Sequence, residues 1–381
     1  MKRINLLDLF SGIGGFHLGL ERAGFKVSSF NSEIDKYAIE VYKHNFKQSK
    51  YVGSVTDVRG SELPRIDAIT FGSPCQDFSL AGNRKGMAGE RSSLILEAIR
   101  LIQECRPRFF IWENVKGTFS SNAGEDFAAI LQAFANIGGY RLEWQLLNTK
   151  WFLPQNRERI YLVGYIADGS RGQIFPITES SFDTQRLAGE REESACITTS
   201  YHKGMNYDNQ LVEEIKVKSA TKNGYEVAST GDSVNLTAIN SKTRRGRVGK
   251  AVAQTLDTGC TQAVIAASSV QKDNYVVGTL RTHNDGKGFR KVVGTDCPTI
   301  PARAREDGSG QPIIGNEQTI RRLTPIECER LQGFPDNWTL ANGISDTQRY
   351  KMCGNAVTVD VVEAVGKRIL ETVYGKSSAP R

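Results

Sequence analysis

Strand-like and helix-like segments alternate along the first third of the chain, and this alternation constrains the fold more than any other feature of the sequence. The segments at 4–10, 26–31, 66–71 and 109–113 are predicted to be strands. The stretches between them carry apolar residues at helical spacing, most clearly at 92–105. Strands that alternate with helices of about 10–15 residues predict a doubly wound α/β sheet, mixed but mostly parallel.

The amino-acid composition and the spacing of apolar residues change after residue 165. Glycine, serine and threonine become frequent, amphipathic helices become scarce, and short apolar pieces predict short strands joined by loops. A final amphipathic stretch, 357–374, predicts a helix that returns to the first domain. We therefore expect a second, smaller, strand- and loop-rich domain. The expected domains are residues 1–170 with 346–381, and residues 171–345.

The bulk composition excludes several classes of protein. Of the 381 residues, 39% are hydrophobic and 24% are charged, so extended disorder is not expected. No run of about 18 apolar residues and no signal peptide is recognisable, which predicts a cytoplasmic protein without membrane contact. The seven cysteines form no C-x-x-C pair, so a zinc site is not expected. A net charge of +7 permits nucleic-acid binding without establishing it.

Two features after the first two predicted strands suit a nucleoside cofactor. Residues 8–15 (DLFSGIGG) form a glycine-rich turn that lets a ligand approach the backbone and leads into a helix N-terminus. The turn is not G-x-G-x-x-G, so it does not predict a dinucleotide site, and alone it fits a plain tight turn equally well. Glu33 stands where a carboxylate can accept hydrogen bonds from ribose hydroxyls, although beside Asp35 it also fits a surface residue.

A proline–cysteine sequence gives the strongest chemical signal. Within residues 72–79 (GSPCQDFS), Cys75 follows a strand and so stands at the carboxyl edge of the sheet, where open α/β folds bind ligands. The proline before it fixes the backbone, and nearby glycines allow the flanking loop to move. Its polar, loop-forming neighbours disfavour an inert buried cysteine. Cys75 is therefore predicted to be a nucleophile.

Two further polar segments border neighbouring strands. The segment WENV places Glu113 at the same edge as Cys75. The segment QNRER leads into a strand and puts Arg157 and Arg159 two positions apart, so their side chains share a face. Such a pair suits an anion, a phosphate, or a carboxylate that needs orientation.

The order and spacing of these segments resemble the motifs of the C5 cytosine DNA methyltransferases over nearly the whole chain. The matching segments are residues 8–15 (cofactor loop), 72–76 (proline–cysteine motif), 113–115 (glutamate motif), 155–159 (paired arginines), 322–335 (the segment that closes the recognition domain) and 354–357 (the last motif, which returns to the cofactor). Six ordered motifs make a chance resemblance negligible.

The resemblance implies a function and a fold. The fold would be the Rossmann-like one of S-adenosylmethionine-dependent methyltransferases, in a compact enzyme of bacterial or phage type. The activity would be that of a DNA (cytosine-5-)-methyltransferase: a methyl group passes from S-adenosylmethionine to carbon 5 of a flipped cytosine within a short specific sequence, leaving S-adenosylhomocysteine, without a metal. The second domain would recognise the target in double-stranded DNA, and basic runs such as 242–247 favour DNA contact over a solvated surface. A monomer, functionally paired with a restriction endonuclease, would fit.

The resemblance also assigns roles to individual residues. Cys75 would attack carbon 6 of the base, and Glu113 would contact nitrogen 3. Arg159 would contact oxygen 2, and Arg157 would orient Glu113 and the loop. The expected cofactor contacts are Phe10, Ser11, Gly12, Gly14, Gly15, Glu33, Ile34, Val55, Pro74, Leu94, Asn355, Ala356 and Val357. The expected DNA contacts, on the loop that follows the nucleophile, are Gln76, Ser79, Arg84 and Lys85.

The contact with the adenine amino group departs from the family pattern. The usual aspartate after the third strand is replaced by Ser54. A serine hydroxyl accepts a hydrogen bond more weakly than a carboxylate does. The sequence therefore leaves Ser54 and Asp57 as alternative partners.

Other functions fit the sequence less well. A regulatory DNA-binding protein with an inactive site would not need Cys75, Glu113 and both arginines. The RNA-acting branch of the same family has short recognition regions, whereas the long stretch 160–321 here favours DNA. A zinc-dependent deaminase would need H-x-E with P-C-x-x-C, which is absent. A nicotinamide dehydrogenase would need the third glycine of its fingerprint.

Overall fold

The computed structural model describes part of the chain, and that part falls into two compact units. The described residues are 1–73, 93–167, 172–178, 215–229, 231–235, 246–256, 262–267, 276–280, 289–291, 312–315 and 318–375. The first unit consists of Met1–Cys196, Val252–Thr261 and Leu323–Arg381, and the second of Ile197–Ala251 and Gln262–Arg322.

A seven-stranded sheet forms the centre of the first unit. Its strands are β1 (Lys2–Leu9), β2 (Phe25–Ser32), β3 (Lys50–Tyr51), β4 (Ala68–Gly72), β5 (Phe109–Val115), β6 (Arg141–Asn148) and β8 (Glu158–Tyr165). The short strand β7 (Gln155–Asn156) lies between β6 and β8 in the sequence and does not belong to this sheet. The strand order is β3-β2-β1-β4-β5-β8-β6. Strands β1 to β5 pair in parallel, whereas β8 runs antiparallel to both β5 and β6. The predicted mixed, mostly parallel sheet is confirmed.

Helices pack on both faces of this sheet. Those described are α1 (Gly15–Arg22), α2 (Lys36–Asn45), α3 (Ser93–Cys105), α4 (Gly117–Ser120), α5 (Glu125–Ala135), α6 (Pro325–Leu331), α7 (Asp346–Asn355) and α8 (Val359–Tyr374). The helices predicted at 92–105 and 357–374 are α3 and α8, each within two residues of the predicted bounds. The sequence analysis did not predict α6 or α7.

Two hydrophobic cores follow from the alternation of side chains along the strands. Successive residues of a strand point to opposite faces. Leu6 and Ile111 accordingly pack with α1 and α8 on one face. Leu7 and Trp112 pack with α3 and α5 on the other face. The sheet is therefore a middle layer that is covered on both sides, as a doubly wound fold requires.

The boundaries of the units differ from the expected domains. Residues 323–345, expected in the second domain, belong to the first unit, because Phe334 packs with Ile13 and Met352 in one apolar cluster. Residues 252–261 also belong to the first unit, because β13 (Ala253–Gln254) pairs with β7.

Short antiparallel strands make up the described part of the second unit. They are β9 (Ile215–Lys218) with β10 (Tyr225–Ala228); β11 (Ser233–Asn235), β12 (Val248–Gly249), β14 (Gln262–Ala267) and β18 (Gln318–Arg322); and β15 (Val276–Leu280), β16 (Phe289–Lys291) and β17 (Pro312–Gly315). Arg247, from the basic run at 242–247, is only 1% exposed and donates to the Asn235 carbonyl at 3.2 Å. This arginine supports the unit's own fold. The other basic residues of the run lie outside the described residues, so the expected DNA contact of the run stays a prediction. No helix among the described residues is long and apolar enough to cross a membrane.

Candidate active site

A cavity of about 450 Å³ opens at the carboxyl edge of the sheet in the first unit. Strands β1, β2, β4 and β5 end there, and β8 begins there because it runs in the opposite direction. The predicted site residues that line it are Phe10, Gly12, Glu33, Ile34, Val55, Leu94, Glu113, Arg157, Arg159, Asn355 and Ala356. Segments from both ends of the chain thus converge on one cavity.

Other predicted residues lie outside the described lining of the cavity. Ser11, Gly14, Gly15 and Val357 do not line it. Gly14 has a φ of 87°, and a Cβ there would lie 2.3 Å from the Phe46 ring. A Cβ on Gly15 would lie 2.6 Å from Val357. These glycines let the loop after β1 pack closely against its neighbours, and their expected contact with the cofactor stays a prediction.

The proline–cysteine loop lies outside the described residues. It holds six of the predicted site residues: Pro74, Cys75, Gln76, Ser79, Arg84 and Lys85. Their assignments stay predictions.

The structure adds lining residues that sequence reasoning missed. They are Ile13, Ser32, Asp35, Ala38, Gly72, Ser73, Asn114, Val115, Met352 and Gly354. Most of them adjoin a recognised motif, so the position of the motif at a strand end was the available signal. Ser54 also lines the cavity and Asp57 does not, which favours the serine of the two alternatives for the adenine contact.

The backbone fixes the Glu33 carboxylate in the wall of the cavity. One oxygen accepts from the Gly12 N–H at 2.9 Å, and the other accepts from the N–H groups of Ile34 at 2.7 Å and Asp35 at 2.9 Å. Hydrogen bonds to an ionised acceptor are about twice as strong as neutral ones. These bonds tie the loop after β1 to the loop after β2. The Ile34 side chain lines the same wall and is 81% exposed, which leaves an apolar surface for a flat ligand to cover.

An ion pair joins α2 to α7 at the cavity. The Asp35 carboxylate accepts from the Tyr37 N–H at 2.9 Å, which caps α2, and from Lys351 Nζ at 2.8 Å. Partial burial opposes the charge, but the hydrogen bonds from Lys351 and Tyr37 outweigh it and lower the pKa of Asp35 below its usual value. The pair connects the two helices that flank this end of the cavity.

A second carboxylate, Glu113, lies deeper in the same cavity and is only 8% exposed. Its Oε1 lies 3.2 Å from Arg159 Nε. The same oxygen is buried and accepts no hydrogen bond from the described residues. A Cβ on Gly72 would lie 3.2 Å from Oε2, tighter than an ordinary contact, so the glycine gives this carboxylate its room.

The two arginines have separate partners. Arg159 pairs with Glu113, whereas Arg157 Nη2 donates to the Ala356 carbonyl at 2.8 Å and Nη1 to the Gly354 carbonyl at 3.4 Å. Burial, and then the charge of Arg159, lower the pKa of Arg157 to about 10. Arg157 therefore anchors the turn after α7, and its described hydrogen bonds do not include the expected one to Glu113.

A buried acid lies near the end of β1. Asp8 is 0% exposed and accepts hydrogen bonds from Thr70 Oγ1 at 2.8 Å and the Tyr42 hydroxyl at 3.2 Å. Burial raises the pKa of Asp8 to about 7, and the charge of Glu33 adds to this effect against the two hydrogen bonds. Asp8 does not line the cavity, so it acts on the site only through the strands it joins.

The two ends of the cavity suit different chemistry. The end around Glu33 combines apolar side chains with a fixed acceptor, as a nucleoside requires. The end around Glu113 presents a buried acid beside a cation, which suits a polar heterocycle on which charge develops. Within the described part of the chain, no group of three or more His, Cys, Asp or Glu is placed to hold a metal ion.

Comparisons with known proteins agree with this geometry. The family model described as C-5 cytosine-specific DNA methylase matches residues 4–371. The orphan methyltransferase M.SPRI of Bacillus phage SPR is 30% identical over 99% of this chain and 100% of its own length. The type II methyltransferase M1.ScrFI of Lactococcus lactis subsp. cremoris is 31% identical over 97% of this chain and 79% of its own. Among solved structures, the S. pombe Dnmt2 methyltransferase superposes with a TM-score of 0.58 at 20% identity, covering 97% of this chain and 99% of its own, which supports the fold.

Proposed function

We propose that this chain, which belongs to the C-5 cytosine-specific DNA methylase family, methylates a cytosine flipped out of a specific DNA sequence through a covalent adduct of Cys75. Membership makes it a DNA (cytosine-5-)-methyltransferase of the S-adenosylmethionine-dependent kind. The observation that carries the finer proposal is the convergence of Glu33, Glu113 and Arg159 on one cavity.

The end of the cavity around Glu33 fits S-adenosylmethionine, which supplies the methyl group from its sulfonium. The Glu33 carboxylate is already held in place and keeps acceptor capacity for ribose hydroxyls. The Ser54 hydroxyl suits the adenine amino group. An apolar wall suits the adenine ring; it consists of Phe10, Ile34, Val55 and Leu94.

The end around Glu113 suits the cytosine ring. Carbon 5 of cytosine is a weak nucleophile until a thiolate adds to carbon 6. In the proposed reaction Cys75 forms a C–S bond there, and the ring becomes an enamine that takes the methyl group at carbon 5. A base then removes the proton from carbon 5, the C–S bond breaks and the thiolate leaves.

Glu113 and Arg159 would stabilise the charge that develops on the ring. The Glu113 carboxylate and nitrogen 3 of cytosine are both acceptors, so a proton must lie between them, and Glu113 would be the proton donor or hydrogen-bond partner of nitrogen 3. Arg159 holds that carboxylate and keeps N–H donors for oxygen 2 of the base. Each such contact contributes roughly 10²–10³ in rate.

Access to the base requires DNA to be opened. Carbon 6 is hidden inside a duplex, so the cytosine must leave the stack, at a cost of a few kcal/mol. We assign target recognition to the second unit and DNA contact to Gln76, Ser79, Arg84 and Lys85. We also propose a monomer; pairing with a restriction endonuclease is a further proposal, supported by the type II relative, whereas the phage relative is described as an orphan.

Bisulfite sequencing of plasmid DNA from cells that express the protein tests this function. We expect protected cytosines at one short repeated sequence, and none with Cys75→Ala. Cys75→Ser should likewise abolish methylation while cofactor binding stays near normal. Absence of protected cytosines, from folded protein that binds S-adenosylmethionine, would overturn the proposal.

A further inference from the structure

We propose that Ser73 is a positioning residue for methyl transfer, because its hydroxyl and its carbonyl join the strand that carries Glu113 to the chain two residues before Cys75. The inference rests on the proposed function. Ser73 directly follows β4 and is 7% exposed. No motif or comparison above gives it a role.

Two side chains of β5 hold Ser73. The Trp112 indole Nε1 donates to the Ser73 hydroxyl oxygen at 3.0 Å. The Asn114 amide nitrogen lies 3.3 Å from the same hydroxyl oxygen and 3.3 Å from the Ser73 carbonyl, as a donor to both. The residue is thus fixed through its backbone and its side chain together.

The partners of Ser73 are themselves immobilised. Trp112 is 0% exposed and its ring stacks near Phe127, with ring centroids 6.4 Å apart. Asn114 is 2% exposed, and its side-chain oxygen accepts from the Val115 N–H at 2.8 Å and from Thr118 Oγ1 at 3.2 Å. Side chains that are locked by packing and hydrogen bonds can hold a neighbouring residue accurately.

The arrangement connects the two groups that must meet the same base. Trp112 and Asn114 alternate with Glu113 along β5, so any shift of this strand end moves all three. Ser73 is the shared acceptor of the two donors and stands two residues upstream of the nucleophile. The hydrogen bonds therefore set the separation between Glu113 and Ser73, the last described residue before Cys75. A misplacement of about 1 Å can cost 10²-fold in rate, so this separation matters for catalysis.

The test measures adduct formation directly. The probe is a duplex oligonucleotide with 5-fluorocytosine at the site that bisulfite sequencing identifies, incubated with S-adenosylmethionine. After methyl transfer, carbon 5 of this base carries fluorine in place of the proton that a base must remove, so the C–S bond does not break and the adduct persists. We expect Ser73→Ala and Trp112→Phe each to slow adduct formation about 10- to 100-fold, with cofactor affinity unchanged. The double variant should be no slower than the slower single variant, because both remove the same contact.

Matched variants separate positioning from general damage. Ser73→Thr keeps the hydroxyl and should restore the rate to within about threefold of wild type. Ser29→Ala removes another buried serine hydroxyl, on β2, and should leave the rate unchanged. Urea unfolding of each variant shows whether it is folded under the assay conditions.

The outcomes are distinguishable. If wild-type protein forms no adduct, the proposed function fails and the inference fails with it. If wild type forms the adduct and Ser73→Ala forms it equally fast, only the positioning role fails. Additive losses in the double variant would also overturn it, because they would show that Ser73 and Trp112 act independently.

Discussion

Glu33 and Glu113 lie in the same cavity, but the protein holds them in different ways. Three backbone N–H groups bind the Glu33 carboxylate. Glu113 has an arginine beside it and an oxygen that accepts no hydrogen bond from the described residues. Burying an incompletely paired carboxylate is costly, and that cost is recovered only when a partner arrives. Among the described residues, the hydrogen bonding is therefore complete at the end around Glu33 and incomplete at the end around Glu113.

The largest effect is expected at the incomplete end, from Glu113→Gln. The substitution keeps the shape but removes the charge and the titratable proton. We expect kcat to fall roughly 10²–10³-fold while cofactor affinity changes less than about twofold. Single-turnover methyl transfer and equilibrium titration with S-adenosylmethionine measure the two quantities. Glu143→Gln, on β6 and away from the cavity, serves as the control. A large loss of cofactor affinity in Glu113→Gln would contradict the prediction, because it would show that Glu113 acts on both ends of the cavity.

Arg157→Lys tests whether the two ends are independent. Arg157 lines the cavity and donates to the carbonyls of Gly354 and Ala356, and these two residues line the cavity as well. A lysine has one ammonium group and cannot reproduce the two-pronged contact. We expect kcat to fall about tenfold or more and cofactor affinity to fall about tenfold in the same variant, because the turn after α7 shifts.

The matched control for Arg157→Lys is Arg159→Lys. Arg159 pairs with Glu113 and has no described contact with the turn after α7. This variant should lower kcat and leave cofactor affinity near normal. If cofactor affinity is near normal in both lysine variants, Arg157 contributes only to the end of the cavity around Glu113.

Glu33→Gln should weaken cofactor binding and leave kcat nearly unchanged, which is the opposite of the pattern expected for Glu113→Gln. A neutral amide weakens the hydrogen bonds that depend on the ionised acceptor. Its NH₂ group would also face a backbone N–H, so that two donors meet and one hydrogen bond is lost. We expect the cofactor dissociation constant to rise about tenfold or more, with kcat at saturating cofactor changed less than about threefold. Glu40→Gln, an exposed substitution on α2, is the control. An unchanged dissociation constant would show that Glu33 does not meet the ribose.

The chain alone predicted the sheet and the positions of the charged site residues. Parallel strands end at one edge, so Glu33 and Glu113 could be placed there from their positions at the ends of predicted strands. The contacts of Arg157 could not be predicted, because its acceptors lie about 200 positions away in the sequence and are backbone carbonyls. Nothing local marks a residue that will be buried against such a distant turn.

The glycine-rich loop shows a second limit. A glycine that admits a ligand and a glycine that admits a neighbouring side chain look alike in sequence, and the structure adds that Gly14 and Gly15 each have a neighbouring side chain where a Cβ would stand. The start of helix α6, in contrast, is marked in the sequence. Thr324 and Glu327 form a capping box with a proline at the first turn, which is a sequence signature of a helix start.

The smallest expected effect concerns stability, through Asp8 beneath the end around Glu33. The pKa of Asp8 is raised to about 7 in the folded protein from an ordinary value of 3.8, chiefly by burial. The folded state therefore binds the proton more tightly than the unfolded state. The stability that neutral Asp8 contributes is complete below pH 4 and is lost as the pH rises to 7. Urea unfolding between pH 5 and 7.5 should show a wild-type slope steeper than that of Asp8→Asn by up to about 1.4 kcal/mol per pH unit. Asp57→Asn, at an exposed acid, is the matched control. Equal slopes in wild type and Asp8→Asn would mean that Asp8 keeps its charge in the folded protein. The end around Glu33 would then also contain a buried charged acid, and it would differ less from the end around Glu113 than its hydrogen bonds indicate.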